Sequence, residues 1–192
     1  MRKVRRDEIL DPATYERSRA EIRAAILKAK ELRRVHVGGV LTFLFENTAT
    51  VRYQVQEMVR AERMTRDADV QHELDTYNEL LGAKGELGVS LLIELPDPGE
   101  RDRSLREWLE LPGHLYVALE DGTRVRPTYD PRQVGTDRLS SVQYLRFEVK
   151  GRTPIAVGSD LPACTVEAGL TPEQRDALAH DLRSDAAPQV GR

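Results

Sequence analysis

The side chains with the most chemistry to offer are concentrated between Glu46 and Glu79. They read Glu46-Asn47, Gln54, Gln56-Glu57, Arg60, Glu62-Arg63, Gln71-His72-Glu73, Asp75 and Tyr77-Asn78-Glu79. Carboxylate with imidazole is a ligand set for iron, manganese or zinc. Glu57, His72 and Glu73 are therefore candidate metal ligands. Carboxylate-bridged di-iron bundles take Glu from some helices and Glu-x-x-His from others. Here the nearest match is Asp69-Val70-Gln71-His72, and it occurs once. A second chemistry is open to the same segment: Arg60, Arg63, His72 and Asn78 lining a pocket for an anion, with Glu62 and Asp75 nearby. The plainer alternative is a pair of salt-bridged helix faces. In that arrangement Glu57–Arg60 is an i,i+3 pair, and Gln56–Arg60 and Glu62–Arg66 are i,i+4 pairs.

Other reactive types are isolated. His36 falls at a helix-to-strand junction and His114 at the start of a strand, neither with a spaced partner. His180 sits in the last helix and is expected to be solvated. Cys164 has no basic neighbour in sequence to depress its pKa and reads as a buried, inert thiol. As the one cysteine it excludes an internal disulfide and any cysteine-ligated iron–sulfur cluster built by this chain alone. There is no Gly-x-Ser-x-Gly, no P-loop and no Gly-x-Gly-x-x-Gly, so elbow hydrolases, nucleotide loops and classical dinucleotide folds have no support.

The elements that must position these groups follow from pattern. Asp11 caps a first helix, with Pro12 at its first position. Tyr15, Ile22, Ala25, Ile26, Ala29 and Leu32 form its apolar face, and Gly38-Gly39 ends it. Val40 to Phe45 reads as a buried strand. Thr50 to Met64 is helical, and Asp67 or Asp69 caps a further helix to about Leu81 with Val70, Leu74, Tyr77 and Leu81 facing in. Leu87 to Leu95 is a strand, and Glu100 to Leu111 a short helix with Leu105, Trp108 and Leu109 inward. Leu115 to Arg126 is a hairpin around Asp121-Gly122. Ser140 to Val149 is a strand, Ile155 to Val157 and Thr165 to Glu167 are short strands, and Thr171 to Gln174 is a capping box that opens a last helix. Helices first and hairpin strands afterwards predict an α+β fold, a largely antiparallel sheet packed with N-terminal and central helices. βαβ crossovers remain open between Phe45 and Leu87. One domain is expected over residues 1–183, with a flexible tail over 184–192.

The bulk properties agree with one globular unit. The 192 residues are 40% hydrophobic and 32% charged, with a net charge of -3, so nucleic acid is not favoured as a partner. The charge is uneven: residues 1–34 carry 11 Lys and Arg against 6 Asp and Glu. A basic first helix of this kind is expected to dock on the acidic remainder or to form a solvated face. The apolar run Val40 to Phe45 is too short to span a bilayer. The basic start is followed by acidic residues instead of an apolar stretch, so a signal peptide is not expected. The cytoplasm is the expected compartment.

Val40 to Asn47, Gln54 to Arg63, Gln71 to Leu80 and Ser141 to Phe147 together resemble an uncharacterised bacterial family, domain of unknown function 3501, from about Asp7 to Leu182. The resemblance implies a cytosolic single-domain protein without an assigned activity. It also implies a redox setting, since the family keeps company with rubrerythrin-like di-iron proteins and iron–sulfur oxidoreductases. The expectation is an accessory protein for such a partner. The alternative is a metal-binding protein or enzyme using Glu57, Arg60, Glu62, Arg63, His72, Glu73, Asp75 and Asn78. The metal would be iron, manganese or zinc, with no intrinsic iron–sulfur cluster. A homodimer is compatible with either, through the first helix or a sheet edge.

Overall fold

Asp11 accepts hydrogen bonds from the backbone N–H groups of Ala13 and Thr14, both at 3.0 Å, and starts helix α1 (Pro12–Glu31). The computed structural model describes residues 1–183; the tail expected over 184–192 lies outside the described residues. α1 ends at Glu31, earlier than its sequence pattern suggests. Arg34–Val37 is instead a strand, β1, and Gly38 and Gly39 form its turn into β2 (Leu41–Glu46). Both glycines have positive φ, 61° and 72°, which makes that turn accessible. Leu32, expected on the apolar face, is 42% exposed.

Asn47 caps helix α2 (Thr48–Ala61) through the N–H groups of Ala49 and Thr50, and the Thr50 hydroxyl accepts from the Asn47 N–H in return. Helix α3 (Asp67–Asn78) starts after Arg66 with no side-chain cap; Asp67 and Asp69 lie in its first turn and not at the cap. The acidic first turn suits the positive end of the helix dipole all the same. Strand β3 (Leu87–Ile93) then returns antiparallel to β2, which removes the βαβ alternative.

The remaining elements are α4 (Pro98–Glu107), a single turn α5 (Leu111–His114), β4 (Leu115–Ala118), β5 (Arg124–Val125), β6 (Pro127–Thr128), β7 (Val142–Phe147), β8 (Ala156–Leu161), β9 (Cys164–Gly169) and α6 (Pro172–Arg183). A hairpin joins β4 to β5 at Asp121-Gly122 as the sequence predicts, but only Gly122 takes a positive φ, 81°, so the turn is not the two-residue type with both central residues left-handed. The Thr171–Gln174 capping box also forms. β8 and β9 are six residues each, longer than their sequence suggests, and pair as a hairpin.

The strands make two antiparallel sheets in the orders β1-β2-β3-β7-β6 and β5-β4-β8-β9. The chain crosses between them at Arg126. Residues of one core cluster come from both sheets and from the helices: Phe43, Leu91 and Phe147 from the first sheet, Leu115 and Val157 from the second, Val55, Leu74 and Leu105 from α2, α3 and α4. The architecture is α+β. Among the described residues no helix is long and apolar enough to cross a membrane.

Candidate functional site

The fold separates the side chains that sequence chemistry grouped. Glu57 faces α1. It receives both an N–H pair from Arg19, at 2.8 and 2.9 Å, and the Tyr15 hydroxyl at 2.5 Å. The Arg19 guanidinium, first, and the Tyr15 hydroxyl hold its carboxyl at about 2, against a desolvation that works the other way. Burial of Tyr15, followed by this hydrogen bond, pushes the phenol well above its usual range. Arg60 pairs with Glu16 at 2.8 Å, and Arg66 with Asp69 at 2.8 Å. In place of the expected Glu57–Arg60 and Gln56–Arg60 pairs, Glu57 and Arg60 pair with α1, and Arg66 forms an i,i+3 pair with Asp69 instead of Glu62. α1 packs against α2, which brings Arg19 and Glu16 within ion-pair distance of Glu57 and Arg60.

Gln56 and Asn78 serve the chain preceding α1. Gln56 accepts from the Leu10 N–H at 2.8 Å and donates to the Leu10 carbonyl at 3.0 Å. Asn78 does the same for Val4, at 2.8 and 3.0 Å. A primary amide carries one acceptor and a donor pair, which matches the N–H and C=O of one extended residue. Asp75 is exposed and accepts from Gln71. Glu62, Arg63, His72 and Glu73 do share a surface depression of about 370 Å³ with Asp69. Glu57 is not part of it. Among the described residues no group of three or more His, Cys, Asp or Glu is placed to hold a metal ion.

A different place gathers polar groups into a recess. On one face of the first sheet the register sets Leu44 beside Ser90 and Ser90 beside Tyr144. Glu46, at the end of β2, lies diagonal to Ser90 on that face. Its carboxylate accepts the Ser90 hydroxyl at 2.7 Å and the Thr50 hydroxyl at 2.6 Å. Glu46 is only 7% exposed. Its position directly before α2 adds the positive end of that helix to the two hydroxyl donors. No cation reaches it within ion-pair distance among the described residues.

Two cavities open here. One, about 190 Å³, has Glu46, Thr50, Ser90, Gln54 and Lys30 among its walls. The other, about 320 Å³, is bounded by Glu79, Tyr129, Asp130, Gln133 and Arg146. Both are lined by Tyr77, Leu80 and Tyr144. Gln133 fixes the outer wall by bonding both the N–H and the carbonyl of Tyr144, at 2.8 and 3.0 Å. Partial burial, then the neighbouring Tyr77 and Glu46, raise the Tyr144 phenol. The sequence signal for this recess was slight: one carboxylate closing a largely apolar strand, and a tyrosine between Val142 and Arg146 on one face of β7.

A model of the family described as protein of unknown function, DUF3501, matches residues 3–182. The chain belongs to this family. A solved structure similar to it is a crystal structure of a novel protein of unknown function from Burkholderia pseudomallei K96243, 27% identical, with a TM-score of 0.85. The similarity covers 94% of this chain and 100% of that one. No curated protein matches the chain. Membership bears out the resemblance that Val40–Asn47, Gln54–Arg63, Gln71–Leu80 and Ser141–Phe147 carry. In this chain their side chains divide between packing, the N-terminal segment and the wall of the recess.

Proposed function

We propose that the protein is an accessory binding protein that holds a small organic molecule in the recess walled by Tyr77, Leu80 and Tyr144. The observation that carries this reading is the pair of adjoining cavities around that wall, with a buried carboxylate at one end. Ligand sites are concave and mostly apolar, with a few convergent polar groups that fix orientation. Leu44, Leu80, Leu92 and Val142 supply the apolar surface here, and Glu46, Ser90, Gln54 and the tyrosine hydroxyls the polar groups.

The redox setting rests on the family resemblance and belongs to the same proposal: the protein would serve a di-iron or iron–sulfur partner as a ligand-holding accessory. Its own cysteine is buried, and burial pushes that thiol up, which suits a packing role. The metal-binding alternative would draw on Glu62, Asp69, His72 and Glu73, which line one depression, although among the described residues no three such groups are placed to hold an ion. Elemental analysis of protein purified without chelator, beside His72→Ala, decides it. Near-stoichiometric metal lost in the variant would displace the accessory reading.

The recess itself is tested by titrating a panel of small aromatic and aliphatic fragments into isotope-labelled protein. Amide shifts are expected at Ser90, Tyr77 and Tyr144. Shifts confined to the Glu62–Glu73 surface, or no binding by any fragment, would refute the reading.

A further inference from the structure

We propose that the smaller cavity receives an organic ammonium group, with Glu46 as its counter-ion and the Tyr77 and Tyr144 rings as flanking faces; this rests on the recess being a ligand site. A carboxylate is costly to bury unless donors or a cation offset its lost hydration. Two hydroxyls and the start of α2 meet Glu46, and they use one lone pair on each oxygen. A carboxylate has about four acceptor positions, so acceptor capacity remains at a group that also lines the cavity.

The flanking chemistry agrees. Tyrosine faces attract cations through the ring quadrupole, and two tyrosines line the space into which Glu46 opens. Lys30 lines it too, and as a cation would favour an anion instead. Its Nζ, however, lies 5.7 Å from the centroid of the Tyr53 ring and makes no ion pair with Glu46. Lys30 is half-buried on the α1 side, whereas Glu46 is enclosed between the sheet and α2. The larger cavity carries Glu79 and Asp130 against Arg146. Asp130 is bound by Arg132, whose guanidinium holds its carboxyl at about 2, so it stays charged. With Arg132 on Asp130 the charges of the recess as a whole are close to balanced, so the preference for a cation rests on Glu46 itself. The free volume of about 190 Å³ fits a small aromatic or alkyl amine beside Glu46.

Three probes of one shape separate charge from fit: benzylammonium, benzyl alcohol and benzoate, each titrated at constant ionic strength by calorimetry and by amide shifts. Benzylammonium is expected to bind best, with shifts at Ser90 and Tyr144. Glu46→Gln keeps the size and one hydrogen-bond acceptor but removes the charge, and is expected to weaken that binding about tenfold or more. If Glu46→Gln does not fold, Tyr144→Leu, which alters an exposed rim residue, carries the test with a loss of about threefold or more. Equal binding of benzyl alcohol and benzylammonium, or unchanged affinity in the variant, overturns the ammonium assignment and leaves the ligand site standing. Preference for benzoate overturns it in favour of Lys30. Silence from all three, with other fragments still shifting the recess, refutes the amine alone; silence from every fragment removes the site as well.

Discussion

Glu57 shows how a residue selected for its chemistry is used for structure instead. The Arg19 guanidinium and the Tyr15 hydroxyl occupy both its oxygens, and these bonds tie α1 to α2. Its folded value of about 2 lies below the ordinary 4.5. A depressed carboxyl lends stability that is complete above the unfolded value and is lost as pH falls through the folded one. The window therefore runs from about pH 4.5 down to about 2. Glu57→Gln keeps the shape and removes the charge, which costs about 2 kcal/mol at neutral pH for a charge-assisted pair. The difference in Tm between variant and wild type is expected to shrink as pH is lowered through that window. A difference that stays constant between pH 7 and pH 3 would show that the ion pair is not its source. Glu8 and Asp160, each held at about 2 by arginine, also titrate there, so the stability of the Glu57→Gln protein still falls over the same pH range.

At the scale of elements, the close approach of α3 to β3 decides where the recess can form. The chain leaving α3 passes directly over Gly88: a Cβ built there would lie 1.8 Å from the carbonyl oxygen of Leu80. Backbone on that side cannot yield as a side chain end would. Gly88→Ala must push the Leu80 segment off the sheet and is expected to cost about 3 kcal/mol or more. Leu80 is also a wall of both cavities, so any folded Gly88→Ala protein should lose fragment binding along with stability. Denaturant melts and the fragment titration check the two effects together. Normal stability would mean that Leu80 moves freely over β3. Much of this level was legible in the sequence, because the signals were local. Asp11-Pro12, Asp121-Gly122 and Thr171 to Gln174 each form a start or turn where their types predict one. β1 was not legible: Arg34-Val35-His36-Val37 is four residues long and follows α1 after only Leu32-Arg33, with no Gly or Pro to mark the break. The recess was not legible either. Leu44, Ser90 and Tyr144 become neighbours only through strand register, and nothing in their sequence separation announces it. The segment from Glu46 to Glu79 drew notice because charged and amide side chains are dense there. Density in sequence says little about convergence when two helices turn their faces to different neighbours, α1 for Glu57 and the N-terminal segment for Asn78.

The whole molecule raises a question that neither residue nor element answers: whether two sheets behave as one folding unit. They are separate in hydrogen bonding, yet one apolar cluster contains side chains of both and of α2, α3 and α4. Gly38 in the β1–β2 turn leaves no room beside Val166 of β9, its Cβ position being 2.4 Å from a Val166 methyl. Deep in the chain's other half, Arg33 after α1 forms a buried pair with Asp181 of α6, at 2.6 Å, and Asn47 at the start of α2 donates to the same carboxylate. Contacts of this range bind early and late segments to one another, so neither sheet can lose its partner and keep its core. Unfolding is therefore expected to be a single transition. Trp108, the one tryptophan, is buried after α4, and its fluorescence reports that region alone, while far-ultraviolet circular dichroism reports all helices and strands. The two urea curves should coincide. Leu87→Ala, a fully buried position on β3, should shift both to the same lower midpoint, by a loss of about 2–5 kcal/mol. Curves that separate, with Trp108 retaining its signal after the dichroism has fallen, would divide the molecule into two units.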